Sequence, residues 1–98
     1  MEWDSIDDFM NKFDHKVDRD NAARRMALWN TCNSIGSVYR DGLLDLKTIF
    51  TSSGGMIGNM WRKFEPIIKH YRRTEYSSKA YDDFEYLAGH LEEYAKTH

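Results

Sequence analysis

Apolar side chains recur along this chain at intervals of three and four and almost nowhere at intervals of two. The pattern therefore predicts helices throughout. From Trp3 to Val17, the residues Trp3, Ile6, Phe9, Met10, Phe13 and Val17 fall within about 120° of a helical wheel. Asp4, Asp7 and Asp8 stand in the first turns, where negative charge suits the helix dipole. Asp18-Arg19-Asp20 then offers a polar hinge with a candidate N-cap, and a second helix is expected from there to Asp41. Its main inward stripe reads Leu28, Cys32, Ile35, Val38 and Tyr39, with Trp29, Asn33, Gly36 and Arg40 as an adjoining flank. A glycine at position 36 predicts close approach of another backbone, and Asn33 beside it predicts a hydrogen bond to the neighbouring helix.

Gly42 is the expected left-handed residue that ends the second helix. Asp45 caps a short helix through about Ser52, with Leu46, Ile49 and Phe50 inward, and Leu44 with Ile49 fits a hydrophobic staple. Thr51-Ser52-Ser53-Gly54-Gly55 reads as a short break. The fourth helix, from about Met56 to Tyr76, places Ile57, Met60, Trp61, Phe64, Ile67, Ile68 and Tyr71 on one face. Pro66 lies on the opposite side, where it bends the axis without breaking it. Ser77-Ser78 predicts a turn and a cap, and the last helix, from about Lys79 to Lys96, buries Tyr81, Phe84, Leu87, Ala88, Leu91 and Tyr94. The fold expected is all-α: one domain over residues 1–98, a compact bundle of four longer helices and one short one.

Composition narrows the class further. A charged fraction of 31% and a formal charge of −2 give no general pull toward nucleic acid or anionic membrane. No stretch approaches the apolar length of a membrane span. The N-terminus carries acids where a signal peptide needs a positive region. Cys32 is the single cysteine, which excludes an internal disulfide and suits a reducing compartment. A cytoplasmic protein without membrane insertion is the expectation.

Chemistry is sparse. His15, His70, His90 and His98 pair with no other histidine at helical spacing, so no metal is expected. Cys32 lies in a core stripe, away from any histidine of its own helix face. Asp7-Asp8, Asp82-Asp83 and Glu92-Glu93 point outward, without the water-poor pocket that an acid–base pair needs. The Gly54-Gly55 segment lacks both the lysine and the preceding strand of a phosphate loop. No catalytic residue and no cofactor is expected, and the function that fits is a non-enzymatic protein-interaction or regulatory module. Trp3, Tyr76, Tyr86 and Tyr94, at helix ends and margins, are its candidate anchors to a protein partner or a second copy. The alternative is nucleic-acid binding through the basic side of the fourth helix, by Arg62, Lys69, Arg72 and Arg73.

Several runs carry a family resemblance: Leu28-Trp29-Asn30, Ile35-Gly36, Arg40-Asp41-Gly42-Leu43-Leu44-Asp45, then Ile57, Trp61, Glu65-Pro66-Ile67 and Tyr71-Arg72. Phe84-Glu85-Tyr86-Leu87 follows. From about Ala22 to Leu91 the chain resembles the small prokaryotic helical domains of the DUF4760 type. The resemblance implies an all-α fold and brings with it no established activity, cofactor or catalytic residue.

Overall fold

Caps and stops in the sequence set several helix boundaries of the computed structural model, which describes residues 2–97. Ser5 starts α1 (Ile6–Phe13) by accepting the Asp8 N–H at 3.1 Å, and the Asp8 carboxylate accepts the Asp4 N–H in return. Asp18 caps α2 (Arg19–Arg40) through the Asn21 N–H. Gly42, at φ +82°, ends it. Its N–H bonds to the Tyr39 carbonyl and that of Leu43 to Val38, the paired bonds of a Schellman stop. Asp45 caps α3 (Leu46–Ile49) through the Thr48 N–H. Then follow α4 (Gly55–Thr74) and α5 (Asp82–Thr97), and no strand occurs among the described residues. The all-α expectation holds.

Four local expectations are corrected. The first helix stops at Phe13 instead of running to Val17, because Asp14 turns out of helical geometry and its carbonyl takes the Val17 and Asp18 N–H groups. Val17 therefore leaves the inner stripe and is exposed. The Thr51–Gly55 break is absent. Phe50–Gly54 form a π-helical turn that joins α3 to α4 without interruption. Ser52 Oγ donates to the Thr48 and Ile49 carbonyls there, satisfying backbone groups that the wider turn disturbs. The last helix begins at Asp82, not Lys79, since Tyr81 sits at φ +61°.

The fourth correction concerns α2. Its buried residues are Ala22, Arg25, Trp29, Cys32 and Gly36, so the core face centres on Trp29 and Gly36 of the predicted flank. Of the predicted main stripe Cys32 is buried and Ile35 and Tyr39 are half-buried against the core, while Leu28 and Val38 are exposed. The reason is the contact with α5. Gly36 is the point of closest approach, and a Cβ there would stand 2.1 Å from the Asp83 carbonyl oxygen. Asn33 Oδ1 accepts the Phe84 N–H at 2.9 Å, capping α5 from the neighbouring helix as anticipated. Arg40 adds ion pairs to Asp82 and Asp83. These three residues rotate α2 so that Trp29, not Leu28, faces inward. Gly36→Ala should therefore destabilise by about 1–3 kcal/mol, the range for overpacking against a backbone that must move. Unchanged denaturant midpoints would show that α5 approaches α2 less closely.

The core closes around Trp29, Trp61, Phe64 and Phe84, joined by edge-to-face ring contacts from Trp29 to Phe64 and from Trp61 to Phe84. Pro66 is exposed, and α4 runs past it to Thr74. No helix among the described residues is long and apolar enough to cross a membrane.

Candidate functional site

Rotating α2 onto its Trp29 face leaves an apolar face outside. Leu28 is 49% exposed and Val38 37%, and beyond the Gly42 stop Leu43 and Leu44 are 75% and 38% exposed. Ile35 is half-buried between them. Leu28, Thr31, Ile35 and Val38 follow at intervals of three, four and three, the spacing of a seam that packs against another helix. Thr31 does not interrupt it: its hydroxyl donates to the Ala27 carbonyl at 2.9 Å, which satisfies the polar group locally.

On the inward side the structure assembles a polar network that the sequence analysis missed. Arg25 is only 2% exposed. Its Nη1 donates to the Phe13 carbonyl at 2.7 Å and to Asn21 Oδ1 at 3.2 Å, and Nη2 to the Tyr71 hydroxyl at 3.3 Å. The Phe13 bond places a cation on the last turn of α1, at the negative end of its dipole. Tyr71 in turn donates to buried Asp14 at 2.5 Å. The guanidinium also lies 5.0 Å from the Phe9 ring centroid and 5.5 Å from that of Trp29. Among the described residues Arg25 Nε and Trp29 Nε1 have no hydrogen-bond partner, and ring faces form part of the surroundings of this buried cation. One signal was present in the sequence: Arg25, Trp29, Cys32 and Gly36 share one helical stripe.

The network sets opposite pH limits. Burial works against the Asp14 carboxylate, but the Tyr71 hydroxyl and the Lys16 N–H outweigh it and hold Asp14 below its ordinary value. Burial, then the bond to Asp14, pushes the Tyr71 phenol well up, and burial pushes Tyr76, stacked on Tyr71, up to about 12. A lowered carboxylate stabilises the fold above the ordinary 3.8, and that stability is lost as pH falls below it. Raised phenols stabilise below the ordinary 10.0, and that stability is lost as pH rises beyond it. Urea midpoints should thus fall off below about pH 4 and above about pH 10, with Asp14→Asn flattening the acid limb. A curve level across both limits would contradict the network.

Beside Asp14, the His15 ring Nε2 lies 3.0 Å from Glu75 Oε2. One ligand atom from each of Asp14, His15 and Glu75 lies within 4.8 Å of the other two, so these are the side chains that could approach one cation. Asp14 is already held by Tyr71 and His15 by Glu75, bonds that account for the arrangement without an ion. His90 is half-buried, with Nδ1 2.8 Å from the Tyr39 hydroxyl and its ring against Tyr86. Cys32 is buried next to Met60, and burial pushes its thiol up, away from the reactive thiolate.

The candidate anchors rest on different rings of their own chain. Trp3 packs on Phe9, Phe13 and Phe64, Tyr76 on Tyr71 and Tyr81, Tyr86 on Tyr39 and His90, and Tyr94 on Phe50. Each is half-buried. Of the basic candidates, Arg62 bonds to Asn59 and Lys69 pairs with Glu65 at 3.0 Å. Arg73 is exposed. Arg72 is not on the open basic side. Its Nε donates to the Ala80 carbonyl at 2.8 Å and its Nη1 to Glu85 Oε1 at 2.8 Å, so it clamps the turn before α5.

The fold and its contacts thus define an all-α domain with a polar brace inside and an uncovered helix face outside. The chain belongs to the family described as a domain of unknown function (DUF4760), whose model matches residues 2–91 and so takes in α1 as well as the later helices. No curated protein and no solved structure matches it.

Proposed function

We propose that this domain is a non-enzymatic protein-interaction module that docks through the outward face of α2. The observation that carries this reading is an apolar seam only partly used by the fold: Leu28 and Val38 are exposed, and Ile35, half-buried against the core, lies between them at the same spacing. The margin aromatics then belong to the fold's own packing, with Tyr86 against Tyr39 on a flank of α2. A cytoplasmic setting suits the single buried cysteine.

The test is association in the native source. The chain should purify with protein, either itself or another chain in fixed proportion, and Leu28→Asp/Val38→Asp should abolish that association while leaving the helical circular dichroism unchanged. The competing outcome is nucleic-acid binding by the exposed cations. Titration with duplex and single-stranded DNA and RNA at two salt concentrations would then show binding that collapses with salt and disappears in Arg62→Glu/Lys69→Glu/Arg73→Glu. Arg72 is left in place because it holds the α5 turn. Such binding without protein association would overturn the proposal.

A further inference from the structure

Resting on that reading of α2, we infer that the occupant of this face is a second copy of the chain, docked antiparallel about a two-fold axis between Thr31 and Ile35. The face is self-complementary under that operation. Leu28 meets Val38 of the second copy, Thr31 meets Ile35, and each pair recurs on the other side of the axis, as an isologous contact requires. One pair of charges near the ends, Arg24 and Asp41, is complementary. Arg24 is exposed at the N-terminal end of the stripe, its Nε bonded only to the Asp20 carbonyl, with no ion pair among the described residues. Asp41 is exposed at the other end, also without an ion pair among them, whereas its neighbour Arg40 is committed to Asp82 and Asp83.

An antiparallel pair brings each Arg24 to the Asp41 end of the other copy. A parallel pair would set Arg24 against Arg24 and align the two helix dipoles unfavourably. Length also suffices. The 22 residues of α2 extend about 33 Å, and Leu43 and Leu44 continue the apolar surface past its end toward Ala23 of the second copy. A standard interface takes about 800 Å² from each partner, a modest share of the 6135 Å² this chain exposes.

Sedimentation equilibrium of the full chain over a dilution series, combined with cysteine pairing, tests this. The expected result is a monomer–dimer equilibrium. Under mild oxidation, chains carrying Leu28→Cys should cross-link to chains carrying Val38→Cys, and neither to its own kind, since the axis sets like positions about ten residues apart along the helix, roughly 15 Å. Arg24→Asp and Asp41→Arg should each weaken the dimer by about tenfold, and the double exchange should restore it. Circular dichroism confirms that each variant is folded. Cross-linking of Leu28→Cys with itself would mean a parallel pair, overturning the arrangement but not the use of the face. A monomer at every concentration would overturn the second copy as occupant. The face itself would then stand or fall on whether Leu28→Asp/Val38→Asp removes a different protein in the native purification. A dimer indifferent to Leu28→Asp would overturn both.

Discussion

Trp29→Ala should lower the free energy of unfolding by about 3–5 kcal/mol, at the upper end of that range. Trp29 is fully buried and touches three parts of the molecule at once: Phe64 on α4, Tyr81 in the turn before α5, and the Arg25 guanidinium. Removing its ring opens a cavity and strips one aromatic face from a buried cation. It also removes the edge-to-face contact with Tyr81 at its left-handed φ. Trp61→Ala, at a site 8% exposed, falls in the same range but lower. A domain of this size has about 5–15 kcal/mol in all. Trp29→Ala should therefore leave a measurable unfolded fraction in mild denaturant. A loss under about 1 kcal/mol, read from urea unfolding, would mean that the side chain is not packed as described.

Arg25→Met should destabilise by about 3 kcal/mol or more, although methionine retains much of the apolar stem. The Phe13 carbonyl, Asn21 Oδ1 and Tyr71 hydroxyl each lose a donor, and the Asp14 carboxylate is left buried without a cation behind its tyrosine. The effect should couple to Asp14. In a double-mutant cycle with Asp14→Asn, the two losses should fall short of additive by about 0.5–3 kcal/mol. Additive losses would show that Arg25 acts only through its aromatic contacts and that the Asp14–Tyr71–Arg25 chain is not one unit.

The helices, and the caps and stops set by single residues, were legible in the sequence because each is encoded locally. Asp18, Asp45 and Gly42 act on the backbone within a few residues, and each is found in the role expected for it. Asn33 and Gly36 were legible for a related reason: an amide and a missing side chain on one helical flank have little use except against another backbone. The rotation of α2 was not. Two apolar stripes share that helix, and a hydrophobicity pattern ranks Leu28, Ile35 and Val38 above a flank containing Arg25, Asn33 and Gly36. The polar residues won because each has a specific partner: Tyr71 for Arg25, Phe84 for Asn33, Asp83 for Gly36. The π turn at Phe50–Gly54 was hidden by Gly54-Gly55, which commonly interrupts a helix. Here Gly54 is helical, and a Cβ added to it would stand 3.0 Å from the Phe50 ring and 3.4 Å from Leu91, so a side chain there would press on both. The candidate face thus draws on Leu28, Ile35 and Val38 from the stripe that the pattern placed inside, and only the structure shows Leu28 and Val38 exposed.

The measurement that bears most directly on the α2 face is residue-resolved methyl relaxation in the presence of a soluble paramagnetic agent, recorded on dilute and concentrated protein. Leu28 and Val38 should be strongly relaxed when dilute and shielded when concentrated, while exposed Met56 on α4 stays relaxed in both. If the methyl groups of Leu28 and Val38 are already shielded in the dilute monomer, α2 is rotated the other way and the face does not exist. If they stay relaxed at every concentration, this chain does not cover the face with a copy of itself.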